Sequence, residues 1–236
     1  MDLKSKVTIV TGGNRGIGLA VATAAARAGS NIVIAARHQK RNLAVAEDLG
    51  REFGVRTLAV ETDVAKEADC ERLIQQTVAQ LGTVHLLVNN AGVGGHKVVA
   101  KTPTDDFDRI LKTNLYGTFW CARAAYRQMQ RNEGDPRGVI INVSSLAGKQ
   151  AWSGTGAYSA SKFAVLALTQ ALADEGKVDD IKAVAICPAM VATPMTGVSG
   201  PEYLQPEDIA ETVLYLLRLS PAAWPTEIVL DRKSAA

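Results

Sequence analysis

The sequence has few cysteines, and their arrangement supports neither a disulfide framework nor a metal site. Only 3 Cys occur in 236 residues. Cys70, Cys121 and Cys187 are far apart, and no Cys-x-x-Cys or His-x-x-x-His spacing occurs. An odd, scattered set of this kind is typical of a reducing compartment and argues against a structural metal. We therefore predict a cytoplasmic protein with no bound metal.

Long apolar runs and an excess of one charge are also lacking. No window approaches the roughly 18 apolar residues that a membrane span needs, and the chain starts without a long hydrophobic leader. Lys and Arg total 26 against 24 Asp and Glu, a net charge of +2, and the basic residues are scattered. We expect neither a membrane nor a nucleic acid as partner.

What the chain does have is an alternation of short Val- and Ile-rich runs with longer segments of helical periodicity, and 47% of its residues are hydrophobic. This alternation predicts a Rossmann-type α/β fold in one domain over 1–236, with helices on both faces of a doubly wound, parallel, seven-stranded sheet. The predicted strands are Val7–Thr11, Asn31–Ala36, Arg56–Glu61, Val84–Asn89, Val139–Val143, Ile181–Cys187 and Ile228–Leu230. The predicted helices are 16–28, 40–53, 67–81, 105–132 in two pieces, 157–176 and 206–219.

A glycine-rich turn follows the first strand and opens the first helix. Its glycines are spaced Gly-x-x-x-Gly-x-Gly, which differs from the common Gly-x-Gly-x-x-Gly spacing. Such a turn lets the backbone approach a dinucleotide pyrophosphate at a helix N-terminus, although a turn without a ligand is the alternative. The predicted cofactor-binding residues of the turn are Gly12, Asn14, Arg15, Gly16, Ile17 and Gly18.

The end of the second strand indicates which dinucleotide binds. An acidic side chain there usually holds the ribose of NAD(H), whereas arginine suits the 2′-phosphate of NADP(H). This strand ends in Ala36-Arg37-His38 without an acidic residue, and Arg15 lies in the glycine turn. NADP(H) is therefore favoured, NAD(H) stays an alternative, and a solvated Arg37 is the competing interpretation.

Tyr158 and Lys162 are spaced i, i+4, and Ser145 lies thirteen residues before Tyr158. Side chains four apart are neighbours on a helix, so the lysine cation would favour the phenolate and lower the tyrosine pKa. An ordinary surface pair is the alternative, and Ser144 is the rival of Ser145. With a serine nearby, the pair predicts an acid or base that works near neutral pH.

Together, the glycine turn, Asn89-Asn90-Ala91-Gly92, Ser145 and Tyr158-x-x-x-Lys162 resemble the short-chain dehydrogenases/reductases over nearly the whole chain. The resemblance implies an oxidoreductase, similar to the 3-oxoacyl thioester reductases, that interconverts a carbonyl and an alcohol. Ser145 would bind the substrate carbonyl, Tyr158 would exchange its proton, Lys162 would also hold the nicotinamide ribose, and the Asn114 carbonyl would hold a water. Further cofactor contacts are implied for Asp63, Val64, Asn90, Ala91, Gly92, Pro188, Val191 and Thr193. Ala189 replaces the family's usual glycine after Pro188.

The substrate is less constrained. A 3-oxoacyl thioester or a small ketone or aldehyde is expected, in a pocket shaped by a short loop over 189–205. Candidate pocket residues, for which surface or packing roles are the alternative, are His96, Trp152, Met190, Met195 and Tyr203. The resemblance also implies a homodimer or homotetramer. A cofactor-binding regulatory or scaffold protein with little turnover is the rival function.

Overall fold

A computed structural model of the chain describes residues 1–134 and 136–233. Within them the strands are β1 (Val7–Thr11), β2 (Asn31–Ala36), β3 (Thr57–Glu61), β4 (Leu86–Asn89), β5 (Gly138–Val143), β6 (Ile181–Pro188) and β7 (Glu227–Leu230). The α-helices are α1 (Gly16–Arg27), α2 (Gln39–Phe53), α3 (Glu67–Leu81), α4 (Thr104–Leu111), α5 (Gly117–Met129), α6 (Gly156–Asp179) and α7 (Pro206–Arg218). Most boundaries lie within two residues of the predicted ones.

The strands form a parallel seven-stranded sheet in the order β3-β2-β1-β4-β5-β6-β7. All the pairings are parallel, with Val10 opposite Ile34 and Val88, for example. The strand order reverses between β1 and β4, and ligands of such sheets bind in the crevice beyond the strand ends at that point. The predicted fold is confirmed.

Two apolar layers cover the sheet, one on each face. Val10 and Ile34 pack with residues of α1, α2 and α7, whereas Ile9 and Val33 pack with residues of α3, α5 and α6. Neighbouring strand residues thus face opposite layers, which explains the near-continuous apolar runs. Each fully buried Ile or Val stabilises the fold by about 1.5–3 kcal/mol.

Two helix predictions differ from the structure. The segment predicted at 105–132 runs from Thr104 to Met129 and is divided by a π-helical turn at Lys112–Tyr116, and such turns are frequent at functional sites. The helix predicted to end at 176 continues to Asp179, and Asp180 terminates it in the left-handed region with φ of 55°. Gly176 is needed for close packing rather than termination, because a Cβ there would lie 1.9 Å from the Ile181 carbonyl oxygen.

Three properties concern the features that the sequence analysis argued against, namely a membrane span, disulfides and a metal site. No helix in the described part of the chain is long and apolar enough to cross a membrane. Cys70, Cys121 and Cys187 are unpaired thiols, and all are buried. Residues 1–134 and 136–233 contain no cluster of three or more His, Cys, Asp or Glu side chains that could hold a metal ion.

His85 closes the edge of the sheet that is opposite the strands' carboxyl ends. Its Nδ1 accepts a hydrogen bond from the first N–H of β1, at Val7, with a distance of 3.0 Å. Burial, helped by the nearby charge of Lys6, lowers the pKa of the imidazole from 6.5 to about 4. The neutral ring is therefore the form that the fold uses, because the protonated ring could not accept this bond.

Candidate active site

A cavity of about 290 Å³ opens at the carboxyl edge of the sheet. It extends across the crevice between β1 and β4 and brings together most of the predicted site residues. Those that line it are Gly12, Asn14, Arg15, Gly16, Ile17, Arg37, Asp63, Val64, Asn90, Ala91, Gly92, Ser145, Tyr158, Lys162, Pro188, Val191, Thr193 and Met195. One continuous cavity therefore connects the glycine turn with the Tyr158 pair.

The glycine turn is fixed against the loop that follows β4. The Asn90 side chain donates to the Thr11 carbonyl oxygen at 2.9 Å, while the Thr11 hydroxyl accepts from the backbone N–H of Asn90 at 3.0 Å. A Cβ at Gly18 would lie 2.3 Å from the Gly12 carbonyl oxygen, and Gly12 itself has φ of +65°. These positions need glycine because a side chain would clash or strain the turn. Gly18 acts in this packing and does not line the cavity.

The N-terminus of α1 and three arginines line one part of the cavity. Gly16 and Ile17 line it where the first N–H groups of a helix have no intrahelical partner. Arg15 and Arg37 line the same cavity, together with Arg41, which the sequence analysis missed. In the described chain none of the three arginines pairs with a carboxylate. The spacing of Arg41 four residues after Arg37 was the available signal.

These features fit a phosphorylated dinucleotide. The end of β2 offers no carboxylate to the cavity, and unpaired guanidinium groups are suited to bidentate contact with a phosphate. The fixed glycine turn leaves room for a pyrophosphate that no side chain fills. The carboxylate of Asp63 lies beyond β3, where it accepts from the Ala65 N–H at 3.1 Å, and Val64 is next to it. The residue types at each position are therefore compatible with NADP(H).

Ser145 and Tyr158 meet at the end of β5. The Ser145 side chain is close enough to the Tyr158 phenol to oppose the rise in its pKa, and the Ser145 oxygen accepts from the Ala147 N–H at 3.1 Å. The Ser144 hydroxyl is buried and donates to the Lys162 carbonyl oxygen at 3.0 Å. The structure therefore brings Ser145, rather than its rival Ser144, to the phenol.

Lys162 lies beneath Tyr158 and is almost fully buried. Its Nζ donates to the Val143 carbonyl oxygen at 2.8 Å and lies 5.8 Å from the centroid of the Tyr158 ring. Burial lowers the pKa of Lys162 to about 8, with a smaller opposing contribution from Cys187. The ammonium group is thus held between the last residue of β5 and the tyrosine.

The pKa of Tyr158 differs in direction from the sequence-based expectation. Burial raises the pKa above its ordinary value, and the nearby Ser145 hydroxyl opposes this increase. The expectation that Lys162 by itself lowers this pKa is wrong for the protein alone. Desolvation of the phenolate is the largest effect, and the lysine is directed to a backbone carbonyl.

Asn114 supports the loop beyond β4 from the π-helical turn. Its side chain accepts from the Val93 N–H at 2.8 Å and donates to the Val93 carbonyl and to the Ser161 hydroxyl, both at 3.0 Å. Its own carbonyl accepts from the Thr118 hydroxyl at 2.8 Å. Ser161, which the sequence analysis did not name as a site residue, is fully buried and joins Asn114 to the helix of Tyr158. The preference of buried hydroxyls for a partner was the available signal.

The other predicted substrate residues lie outside the cavity lining. His96 packs on Gly154, where a Cβ would lie 2.5 Å from the imidazole, and the Lys97 N–H donates to the Gly154 carbonyl at 2.9 Å. The loops after β4 and β5 are therefore locked together. Trp152 and Met190 are exposed nearby on their loops. Tyr203 stacks with the guanidinium of Arg232 at 5.2 Å, so it anchors the segment that follows β7.

Comparison with known proteins identifies the family to which the chain belongs. The model of the short-chain dehydrogenases matches residues 6–203. The chain belongs to this family. It is similar to the 3-oxoacyl-[acyl-carrier-protein] reductase of Homo sapiens, with 36% identity over 236 residues and 96% of each chain covered. The corresponding reductase of Aquifex aeolicus is 32% identical over 229 residues, 92% of this chain and 91% of that one.

The fold of this short-chain dehydrogenase is also similar to those of solved structures. An alcohol dehydrogenase of the archaeon Thermococcus sibiricus, complexed with 5-hydroxy-NADP, is similar over 95% of both chains, with a TM-score of 0.88 and 29% identity. Family and fold therefore agree. The chain is an oxidoreductase that acts on CH–OH or C=O groups.

Proposed function

We propose that this short-chain dehydrogenase is an NADP(H)-dependent carbonyl reductase in which Tyr158 is the acid and base. One observation carries the proposal: Ser145, Tyr158, the buried Lys162 and the unpaired arginines line one cavity. NADPH, when bound, supplies the hydride. The chain's own residues orient the carbonyl and donate or accept the proton.

The protonation states support reduction. Because the pKa of Tyr158 is raised, its phenol carries a proton at neutral pH, as a proton donor must. The Ser145 hydroxyl, which lies close to the phenol, is placed to bind the same carbonyl oxygen. Lys162, whose pKa is about 8, is mostly cationic at neutral pH, and its Nζ lies 5.8 Å from the centroid of the Tyr158 ring.

Exposed apolar side chains on three loops support an apolar substrate body, and one of them, Met195, lines the cavity. Large apolar side chains are exposed on the loops that follow β4, β5 and β6, where a soluble surface would normally be polar. They are Val98, Val99, Trp152, Met190 and Met195. We propose a ketone or 3-oxoacyl thioester substrate whose carbon chain contacts these loops.

Two of the three lysines on the loops after β4 and β5 are already paired, and Lys101 is the third. Lys97 Nζ lies 2.6 Å from Asp106, and Lys149 Nζ lies 3.0 Å from Glu227. Neither lysine is therefore free to bind a carboxylate on the substrate. The two ion pairs therefore reduce the positive charge that these loops offer to an acidic substrate.

We also propose that the enzyme self-associates in the cytoplasm, as a homodimer or homotetramer. Exposed aromatic side chains on α4, α5, α6 and the π-helical turn support this, namely Phe107, Phe119, Phe163 and Tyr116. Three buried thiols without a disulfide are compatible with a reducing compartment. Light scattering after gel filtration measures the mass, and a monomer at all concentrations would contradict the oligomer.

The central test is turnover by the Tyr158→Phe variant. Purified enzyme is assayed with NADPH and NADH against neutral ketones, aldehydes and 3-oxoacyl thioesters. We expect Tyr158→Phe to lower kcat by about 10²–10⁴-fold. Tyr126→Phe is the matched control, because the Tyr126 hydroxyl donates to Asp179 at 2.6 Å, away from the cavity. Undiminished turnover in Tyr158→Phe would reject the mechanism, and cofactor binding without turnover of any substrate would favour the regulatory alternative.

The cofactor preference has a separate test. Arg37→Asp is expected to weaken NADPH binding more than NADH binding, because it replaces a cation suited to the 2′-phosphate by an anion. Arg51→Asp on the exposed face of α2 is the control. Equal weakening of both cofactors by Arg37→Asp would reject the NADP(H) preference.

A further inference from the structure

A buried amide lies behind the arginines, and no step of the proposed reaction uses it. Asn42, in the first turn of α2, is fully buried. Its Oδ1 accepts from Asn14 Nδ2 at 2.7 Å, and its Nδ2 donates to the Ala36 carbonyl oxygen at 2.6 Å. The Val60 carbonyl oxygen lies 3.4 Å from the same Nδ2. One side chain therefore joins the glycine turn, the end of β2 and the start of α2.

Asn42 and two of these partners are each next to one of the arginines in the sequence. Asn14 precedes Arg15, Ala36 precedes Arg37, and Asn42 itself follows Arg41. The backbone segments that carry all three guanidinium groups are thus joined through one amide. The arginine side chains themselves are exposed and have no carboxylate partner in residues 1–134 and 136–233.

We propose that Asn42 is a positioning residue that holds Arg15, Arg37 and Arg41 in convergence on the 2′-phosphate, an inference that rests on the proposed use of NADP(H). Arginine side chains lose conformational freedom when they bind, so three of them act together only from backbones whose spacing is fixed. Asn42 fixes it because breaking its hydrogen bonds leaves buried polar groups unpaired. The pyrophosphate contacts of the glycine turn depend less on this link, since Asn90 and Thr11 brace that turn from the other side.

The test measures ligand binding, so it does not depend on turnover. Calorimetry compares adenosine 2′,5′-bisphosphate with 5′-AMP, which differ only in the 2′-phosphate. We expect Asn42→Leu to weaken binding of the bisphosphate about tenfold and to change 5′-AMP binding less than about twofold. Asn14→Ala breaks the same link from its other end and is expected to reduce the same discrimination.

The matched control is Asn132→Leu. Asn132 also donates to backbone carbonyls, at Val84 and Arg137, with distances of 2.8 and 3.0 Å, but at the opposite end of the sheet. We expect this variant to lower stability and to leave the ratio of the two affinities unchanged. A double-mutant cycle with Arg37→Ala then tests the coupling: the effect of Asn42→Leu on bisphosphate binding should shrink when Arg37 is absent.

The possible failures are distinguishable. If wild-type enzyme binds the two nucleotides equally, the NADP(H) assignment is wrong and this inference falls with it. If wild-type discriminates but Asn42→Leu weakens both ligands by the same factor, or neither, only the role of Asn42 is rejected. Additive effects of Asn42→Leu and Arg37→Ala would reject it as well.

Discussion

Lowering the pH from about 7.5 to about 5 is expected to destabilise the dehydrogenase through His85. Folding lowers the pKa of this histidine from 6.5 to about 4, mainly because it is partly buried. Between these two values the unfolded chain therefore holds more protons than the folded one. The contribution of His85 to the free energy of unfolding is fully present above about pH 6.5. It decreases as the pH falls towards 4.

The size of the effect follows from the two pKa values. At pH 5 the unfolded histidine is almost fully protonated and the folded one is mostly neutral, which corresponds to a loss of about 2 kcal/mol. His85 is not fully buried, so solvent screening reduces this to about 1–2 kcal/mol. For a chain of this length the loss corresponds to a decrease in Tm of roughly 2–8 °C.

The assay is urea unfolding of wild-type enzyme and His85→Asn at both pH values. Asparagine keeps an acceptor for the Val7 N–H but does not titrate, so the variant should lose about 1–2 kcal/mol less than wild-type on acidification. Subtracting the two series removes the contributions of all other groups. His38→Asn is the control, because His38 is exposed. An equal pH dependence in wild-type and His85→Asn would refute the reasoning.

Two further predictions concern packing around the site. Gly176→Ala is expected to lower the free energy of unfolding by more than about 2 kcal/mol, because the new Cβ would meet a backbone carbonyl at 1.9 Å; an unchanged urea midpoint would contradict this. Ser161→Ala leaves a buried N–H of Asn114 without its partner and should cost about 1–3 kcal/mol in the same assay. Ser153→Ala, at an exposed site, is its control, and equal stability of the two variants would contradict the role of Ser161.

The parts of the fold and site that depend on local pattern could be predicted from sequence. Strands between two helical layers are apolar on both faces, so β4, β5 and β6 stand out as continuous apolar runs. The glycine turn and the Tyr158–Lys162 spacing are local as well. The structure brings these local signals together in one cavity, as the parallel sheet requires.

The features that were missed depend on contacts between distant segments. The Asn14–Asn42 hydrogen bond spans 28 residues and the Asn114–Ser161 bond spans 47. The two missed partners, Asn42 and Ser161, have no distinctive local pattern. The direction of the Tyr158 pKa was predicted wrongly because the sequence reveals the neighbouring cation but not the degree of desolvation. The π-helical turn at Lys112–Tyr116 was missed because no residue preference distinguishes it from a regular helix.

Because the three thiols are buried, the rates at which they react with a thiol reagent report local opening of the protein. Cys70 and Cys121 lie in the layer formed with α3 and α5, whereas Cys187 lies on β6 near Lys162. A thiol reagent reaches either location only after that part of the protein opens, so labelling rates follow the local free energy of opening. Quantifying labelled peptides by mass spectrometry, with and without cofactor, would show whether ligand binding slows the opening around Cys187 more than that of the α3–α5 layer.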